Sequence, residues 1–414
     1  MTTTLARSNP TTSNCSPASR VAAMQESASI AIADLARNLQ SQGQPVINLA
    51  VGEPDFDTPD CIKLAAIDAL LRGKTKYTNV DGAIELKTAI RDKLLRENGL
   101  HYSDNQISVS SGAKQAIFNA LFALLEPGDE VIVPAPYWVS YPEMVRFAGG
   151  HPICVSSHAA DGYKLTAAAL RERLTPAARL LILNSPNNPS GAIYSRRELE
   201  AIGEVVAAHP RLLVLCDDIY EHVLWTEEQF CNLAMARPDL ADRVVVVNGV
   251  SKIFAMTGWR IGYTAGPAWL ISAMRKVQGQ CTTNATSISQ YAAAAALNIG
   301  PGIAKSMIQA FQRRQDFMRN SLNVIDGVRC HRVEGTFYAF PNVSGLMARM
   351  NVSTDVELAE LWLRSANVAV VPGTAYGMPG HLRLSCATSD QTLEEAMTRI
   401  AGVSAPSGAT LSVA

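Results

Sequence analysis

The sequence predicts an α/β fold built around a mostly parallel sheet. Five short apolar segments, "QISVS", "EVIVP", "RLLILN", "LLVLCD" and "RVVVVN", are typical of buried strands because each is brief and bounded by polar residues. Helical segments lie between them. One begins at Thr58 and Pro59 and stops at Gly73, and Ser195 with Glu198 forms a capping box for another. Strands that alternate with helices predict a sheet covered on both faces.

The composition excludes several classes of protein. A chain of 414 residues is long enough for a large core and two domains. Its net charge of -1 and pI near 6.7 predict neither nucleic acid nor an anionic membrane as a partner. The eight cysteines form no CxxC pair and the histidines show no metal-ligand spacing. We therefore expect a cytoplasmic protein without a disulfide scaffold, and no bound metal.

The two ends differ from the rest of the chain. Residues 1–20 are rich in Ser, Thr, Asn and Pro, contain no acid and lack the apolar core of a secretory signal. This composition predicts a disordered extension, although a short plastid or mitochondrial transit peptide has the same composition and stays open as an alternative. Residues 403–414 are interpreted as a second loose tail.

Polar residues follow several of the predicted strands. Residues 111–114 come after "QISVS", Asn188 follows "RLLILN", Asp217 and Tyr220 close "LLVLCDDIY", and Lys252 follows "RVVVVN". The carboxyl ends of parallel strands meet at one edge of a sheet, where ligands bind. Loops are polar in any protein of this class, which explains the location of these residues but not their chemical types.

These types match the requirements of pyridoxal 5'-phosphate. The cofactor needs a lysine for its aldehyde and an acid beside its pyridine nitrogen, and Lys252 and Asp217 supply them. Tyr220 and Asn188 can donate hydrogen bonds to the oxygen on the cofactor ring. A solvated turn residue is the alternative interpretation of Lys252, but buried lysines change pKa readily, as a covalent role requires.

The cofactor phosphate also has a predicted site. Ser111, Gly112 and Ala113 precede the helix "KQAIFNALFALL", and free N–H groups at a helix N-terminus bind phosphate. Arg260 can add a charge-assisted pair of hydrogen bonds. These residues are the predicted phosphate cradle.

Eight motifs in order resemble one family. They are "AVGEPDFDTP", "GKTKYTNVDG", "SSGAKQA", "PAPYWVSYPEM", "NSPNNPSG", "DDIYEH", "SKIFAMTGWRIGY" and "LRLSCATS". From about Arg20 to about Gly402 the chain resembles the class I, fold-type I aminotransferases, in particular the bacterial and plastid aspartate or prephenate branch. The resemblance implies a PLP-dependent transferase with a large cofactor domain and a smaller α/β domain.

The resemblance also implies roles for further residues. Trp138 would stack on the pyridine ring, and Ser251 would contact the cofactor beside Lys252. Gly52 would bring its backbone to the substrate, and Arg383 would bind the substrate α-carboxylate, for which the planar guanidinium is well suited. Tyr77 would reach the phosphate of a neighbouring subunit, so a homodimer is expected.

The family layout divides the chain into five parts. Residues 1–20 are the extension, 21–62 and 301–402 form the small domain, 63–300 form the large cofactor domain, and 403–414 are the tail. The boundary near residue 300 coincides with the helix-breaking stretch "NIGPG".

Substrate choice depends on Lys114, which matches a lysine that pairs with the distal carboxylate of dicarboxylic substrates. A solvated lysine in the first turn of a helix is the alternative. Asp218 and Ser190 replace the family's usual glutamate and threonine and keep their chemical type. Gln25 and Glu26 stand where a Lys-Pro pair is common, near the segment that closes over the substrate.

The resemblance implies ping-pong transamination between an amino acid, aspartate or glutamate, and a 2-oxo acid, which would be 2-oxoglutarate, oxaloacetate or prephenate. Lys252 would move the proton. Two alternatives stay open from the residues alone. One is another PLP-dependent reaction, such as elimination or decarboxylation, and the other is a PLP-binding regulatory protein without turnover, which the complete set of catalytic positions disfavours.

Overall fold

The computed structural model describes residues 16–226 and 228–405. Of the predicted extension, residues 16–20 are described, and of the predicted tail, residues 403–405. The other residues of both segments lie outside the described ranges. Residues 19 and 20 belong to a one-turn helix.

Strands alternate with helices along the described chain, as the sequence pattern predicts. The strands are β1 (Ile47–Asn48), β2 (Ile107–Ser110), β3 (Glu130–Ala135), β4 (His151–Ser156), β5 (Ala178–Asn184), β6 (Leu213–Asp217), β7 (Val244–Gly249), β8 (Gly262–Ala265), β9 (Tyr338–Ala339), β10 (Val368–Ala369), β11 (Val371–Pro372) and β12 (Leu382–Ser385). The α-helices are α1 (Ser19–Ala22), α2 (Ala28–Ser41), α3 (Asp60–Leu71), α4 (Ile84–Asn98), α5 (Ala113–Leu124), α6 (Tyr141–Phe147), α7 (Ala167–Arg173), α8 (Arg196–Ala207), α9 (Leu233–Ala236), α10 (Ala268–Cys281), α11 (Ser287–Ile299), α12 (Lys305–Asn323), α13 (Ser344–Arg349), α14 (Asp355–Ala366) and α15 (Asp390–Ser404).

The main sheet has seven strands in the order β2-β8-β7-β6-β5-β3-β4. The pairs from β7 to β4 are parallel, whereas β8 is antiparallel to both β7 and β2. The prediction of a mostly parallel sheet is therefore confirmed. Its central strands are buried on both faces, which explains why "LLVLCD" and "RVVVVN" are continuous apolar runs.

Local signals in the sequence set the ends of two helices as predicted. Pro59 precedes α3, where its fixed φ suits a helix start. Ser195 and Glu198 form the predicted capping box of α8, because each side chain bonds to the backbone N–H of the other residue.

Two smaller sheets lie outside the main one. The strand β1, near the start of the chain, pairs in parallel with β10, and β12 pairs in antiparallel fashion with both β11 and β9. Residues far apart in the chain thus share one structural unit. The strand β12 carries Arg383, and its neighbour β9 carries Tyr338.

Every helix in residues 16–226 and 228–405 is either too short or too polar to cross a lipid bilayer.

Candidate active site

A cavity of about 490 Å³ lies at the carboxyl ends of the main parallel strands. It collects residues from the ends of β5, β6 and β7, from the start of α5, and from the segments around residues 50 and 383. Predicted site residues that line it are Gly52, Ala113, Lys114, Trp138, Asn188, Asp217, Tyr220, Ser251, Lys252, Arg260 and Arg383. The fold therefore brings together side chains that are more than 300 residues apart in the sequence.

Lys252 follows the end of β7 and projects its ammonium group into the cavity. Its Nζ donates a hydrogen bond to the carbonyl oxygen of Gly52 at 2.6 Å and lies 5.7 Å from the centre of the Tyr220 ring. Burial lowers the pKa of Lys252 from 10.5 to about 8, despite the opposing influence of Glu53. The lowered pKa brings the neutral form of this amine, which a nucleophile requires, closer to physiological pH.

Asp217 ends β6 and is buried against the same cavity. Its Oδ2 accepts a hydrogen bond of 2.5 Å from the phenol of Tyr141, and its Oδ1 accepts one from the backbone N–H of Ile219. Burial raises the pKa of Asp217 to about 6. Among the described residues no Lys, Arg or His lies within ion-pair distance of this carboxylate, so it can receive a cationic partner.

Arg383 lies between two aromatic rings. Its guanidinium carbon is 4.5 Å from the ring centre of Tyr338 and 5.3 Å from that of Tyr376, and both contacts are cation–π interactions. It donates to Asn188 Oδ1 at 3.2 Å and to the carbonyl oxygen of Ala50. Its Nε has no hydrogen-bond partner in the described chain. This buried cation therefore retains capacity for an anionic ligand.

The start of α5 packs against Arg260. A Cβ at Gly112 would lie 2.4 Å from Arg260 Nη2, and the left-handed φ of +85° at position 112 also favours glycine. Arg260 itself adopts a left-handed backbone with φ of 55° and donates to the carbonyl oxygens of Thr257 and Ser111. The helix N-terminus and the guanidinium thus lie side by side, as a site for phosphate requires.

Trp138 and Lys114 contact one another at the cavity wall. Lys114 is an exposed residue, but its ammonium group lies 4.7 Å from the centre of the Trp138 ring. Partial burial, together with the nearby charge of Arg260, lowers the pKa of Lys114.

Three predicted residues do not line the cavity itself. Ser111 and Gly112 lie beside Arg260, immediately outside it. Tyr77 is 86% exposed and away from the cavity, which is the environment expected for a residue that acts on a neighbouring subunit.

Two tyrosines of the site, Tyr141 and Tyr338, were not predicted from the sequence. Tyr141 lies in the quoted motif "PYWVSYPEM", three residues after Trp138, and this spacing at a helix start could have identified it. Tyr338 occurs in the apolar stretch "GTFYAF", where only its contacts in the folded chain reveal it.

The residues of the cavity fit pyridoxal phosphate. The described part of the chain offers a lysine of lowered pKa, a buried carboxylate that forms no ion pair there, and a helix N-terminus at which Gly112 packs against an arginine. These are the three groups that the aldehyde, the pyridine nitrogen and the phosphate of this cofactor need.

A second buried polar cluster lies next to the site, and we call it the Glu221 network. It consists of Lys93, Asn98, Glu221 and Asn248, with Glu221 at its centre. Glu221 Oε1 accepts from Asn98 at 2.5 Å, while Oε2 accepts from Asn248 at 2.6 Å and also from the Lys93 ammonium. Lys93 also donates to Asn98 at 2.8 Å. Both charged residues are at most 4% exposed.

Comparison with known proteins identifies the family. A family model described as "Aminotransferase class I and II" matches residues 44–400. The chain is 47% identical to an aspartate aminotransferase of Rhizobium meliloti over 390 residues, which cover 93% of this chain and 95% of the relative. It is also 47% identical to an aspartate/prephenate aminotransferase of Nitrosomonas europaea, with coverages of 93% and 98%.

The similar solved structures belong to the same family as these relatives. The crystal structure of the Rhizobium meliloti aspartate aminotransferase superposes with a TM-score of 0.91 at 46% identity, over 94% of this chain and 99% of that chain. The Thermus thermophilus aspartate aminotransferase with maleate gives a TM-score of 0.89 at 41% identity, over 94% and 100%. The chain belongs to the class I and II aminotransferase family and is a pyridoxal-phosphate-dependent aminotransferase of fold type I.

Proposed function

We propose that this aminotransferase takes its amino group from aspartate or glutamate and passes it to 2-oxoglutarate, oxaloacetate or prephenate. The observation that carries this proposal is that Arg383 and Lys114 both line the cavity that contains Lys252. Arg260, assigned below to the phosphate, and Arg37 also line it. A substrate with two carboxylates can engage both Arg383 and Lys114, whereas a neutral amino acid engages only one.

The names of the relatives support this choice. Those from Rhizobium meliloti and Nitrosomonas europaea are called aspartate or aspartate/prephenate aminotransferases. A relative from Petunia hybrida, 45% identical over 389 residues, is named as bifunctional for aspartate and glutamate/aspartate-prephenate transfer. The Thermus thermophilus structure was determined with maleate, which is a dicarboxylate.

We assign the cofactor contacts as follows. Lys252 binds the aldehyde, Asp217 faces the pyridine nitrogen, and Tyr220 and Asn188 donate to the ring oxygen. The phosphate is held by residues 111–113, Ser251 and Arg260 and by Tyr77 of a second subunit, and Trp138 covers the ring face. When bound, pyridoxal phosphate supplies an electrophilic carbon for the amino group and a ring that accepts electrons.

Lys252 has a second role in this proposal. Its pKa of about 8 lies close to neutral pH, where one amine can both accept and return a proton. The ammonium group is held by a hydrogen bond to the carbonyl oxygen of Gly52, inside the cavity that would bind the substrate. Lys252 is therefore the general base and acid that moves the proton from the substrate Cα.

Arg383 orients the substrate. The rings of Tyr338 and Tyr376 pack on its guanidinium group and restrict its movement, so a carboxylate can bind in a bidentate manner with little loss of side-chain freedom. Lys114, which lines the same cavity, then selects substrates with a distal carboxylate, and the backbone of Gly52 faces the bound molecule.

We also propose the organisation of the whole molecule. Residues 21–62 and 301–402 form a small domain, which the β1–β10 pairing supports, and residues 63–300 form the large one. The chain works as a cytoplasmic homodimer. The 86% exposure of Tyr77 and the exposed apolar residues Leu71 and Ile84 support a second copy at this surface. Sedimentation should give twice the mass of one chain, and a monomer that turns over at the full rate would contradict the dimer.

The test of the substrate assignment is a half-reaction screen. The purified holoenzyme is mixed with one amino acid at a time, and the loss of the cofactor absorbance is followed by stopped flow. Aspartate and glutamate should convert the enzyme much faster than alanine or phenylalanine, and oxaloacetate, 2-oxoglutarate or prephenate should restore the original spectrum. Faster conversion by neutral amino acids would contradict the proposed specificity.

A further inference from the structure

Tyr338 has contacts that the roles assigned above do not explain. It lies on β9, is 1% exposed, and lines the cavity. Its hydroxyl oxygen is 2.8 Å from that of Tyr220, in a hydrogen bond between two buried phenols. The same side chain carries the guanidinium of Arg383 over its ring at 4.5 Å.

The Tyr338 hydroxyl lies in a tightly packed position. A Cβ at Gly52 would lie 2.3 Å from it, so the backbone at residue 52 covers this hydroxyl directly. Strand pairing fixes the position of the Tyr338 backbone, because Tyr338 is opposite Ser385 in the β12–β9 ladder. The backbone at residue 52 thus packs against the hydroxyl, and the strand pairing fixes the backbone from which the Tyr338 side chain extends.

Counting hydrogens assigns the direction of the bond. A phenol has one O–H to donate and lone pairs to accept. Burial raises the pKa of both phenols, so each keeps its proton. If Tyr220 donates its hydrogen to the cofactor ring oxygen, it can only accept from Tyr338. A donor that itself accepts a hydrogen bond becomes a stronger donor.

We propose that Tyr338 is a positioning residue whose hydroxyl donates to Tyr220 and thereby strengthens the hydrogen bond of Tyr220 to the cofactor oxygen. This rests on the role proposed above for Tyr220. A stronger bond withdraws electron density from the ring oxygen and so weakens the attraction of this oxygen for the proton on the nitrogen that joins Lys252 to the cofactor. The pKa of that nitrogen is lowered as a result. Tyr338, on β9, thus changes the reactivity of Lys252, which follows β7 of the main sheet.

The first experiment is a pH titration of the holoenzyme by absorbance, which reports the protonation of that nitrogen. The variant Tyr338→Phe keeps the ring over Arg383 and removes only the hydroxyl. Its titration midpoint should rise by about half a unit to one unit, the scale of one hydrogen bond. The KM for aspartate should stay nearly unchanged because the aromatic contact to Arg383 remains, while kcat falls.

Tyr376→Phe is the matched control. Tyr376 also packs on Arg383, at 5.3 Å, but its hydroxyl bonds to Ser29 and not to Tyr220. The titration midpoint of this variant should equal that of the parent. The charged groups that face Lys252 are Glu53, Asp217, Arg260 and Arg383, and all remain in both variants.

The second experiment asks whether Tyr338 acts through Tyr220. Tyr220→Phe alone should raise the midpoint, and adding Tyr338→Phe to it should produce no further rise. A full additional rise in the double variant would overturn the proposal, as would an unchanged midpoint in Tyr338→Phe. An unchanged midpoint in Tyr220→Phe would overturn the role of Tyr220 and this proposal with it. The substrate assignment does not enter these titrations, so its failure is seen separately in the half-reaction screen.

Discussion

The active-site cavity and the Glu221 network are two buried polar regions that share one short segment, residues 217–222. Asp217 and Tyr220 face the cavity, and Glu221, the next residue, faces the network. In the network both carboxylate oxygens of Glu221 accept hydrogen bonds, and a lysine balances the charge. In the cavity, within residues 16–226 and 228–405, Asp217 forms no ion pair and Lys252 donates a hydrogen bond to the carbonyl oxygen of Gly52.

The difference separates structural charges from functional ones. Burying a charge without a partner costs free energy, so a fold retains such a group only where a ligand completes it. The Glu221 network is already complete and stabilises the segment that carries Asp217 and Tyr220. Two buried lysines, Lys252 and Lys93, therefore allow the same substitution to test opposite roles.

The largest effect is expected from Lys252→Met. This variant removes the amine that we propose to bind the cofactor aldehyde and to move the substrate proton, so amino-group transfer should fall to background. The measurement is steady-state transfer from aspartate to 2-oxoglutarate. Lys93→Met is the matched control and should retain bound cofactor and measurable turnover at low temperature. Substantial transfer by Lys252→Met would refute the assignment of this lysine.

Lys93→Met should mainly reduce stability. It removes the hydrogen-bonded cation of the buried Glu221 and leaves the carboxylate with the imidazole of His222, 4.0 Å away. This loss should cost roughly 3 to 5 kcal/mol of unfolding free energy. Denaturant titration measures this loss. Adding Glu221→Gln to the variant should restore part of it, because the amide is neutral and still accepts from Asn98. A double variant as unstable as the sum of the two single ones would show that the charge balance is unimportant.

The pKa of Lys252 predicts a pH dependence of stability for the protein freed of cofactor. The folded pKa is about 8 and the ordinary value is 10.5, so the unfolded chain binds more protons between these values. Stability should therefore rise with pH from about 8 to about 10.5, by roughly 3 kcal/mol from this group. Subtracting the profile of Lys252→Met isolates the contribution. Identical profiles for the two proteins would mean that Lys252 is not desolvated.

The smallest effect is expected from Lys114→Ala. This variant tests whether Lys114 binds the substrate or the cofactor phosphate. If its ammonium binds a distal carboxylate, the transition-state stabilisation calculated from kcat/KM should fall by about 1.5 to 3 kcal/mol for aspartate and glutamate. It should change little for phenylalanine. The exposed Lys63→Ala, outside the cavity, serves as control. Equal losses on both substrate types, with weaker cofactor binding, would instead place Lys114 at the phosphate.

The sequence could predict the parts of the site that depend on local pattern. Asp217 and Lys252 each follow an apolar strand, and parallel strands necessarily bring their carboxyl ends together. The glycine at 112 was recognisable from its place at a helix start. These signals depend only on residues that are close together in the sequence, so they can be recognised without the folded structure.

Contacts between distant segments could not be predicted in this way. Tyr338 meets Tyr220 across 118 residues, and its own neighbours are apolar. The burial of Lys93 depends on Glu221, 128 residues away, and a lysine in a helix normally predicts a solvated face. The antiparallel strand β8 was also not anticipated, because its pairing partners β2 and β7 decide its direction.

The left-handed backbone of Arg260 has a consequence for attempts to make this protein more robust. A non-glycine residue in that conformation carries a conformational penalty of order 1 kcal/mol or more, which Gly or Asn at this position would relieve. A search for thermostable sequences would therefore favour replacing the very residue that lies against Gly112. Heat resistance and retention of the cofactor would be selected in opposite directions at this one position, and a library scored by melting temperature alone would discard the function.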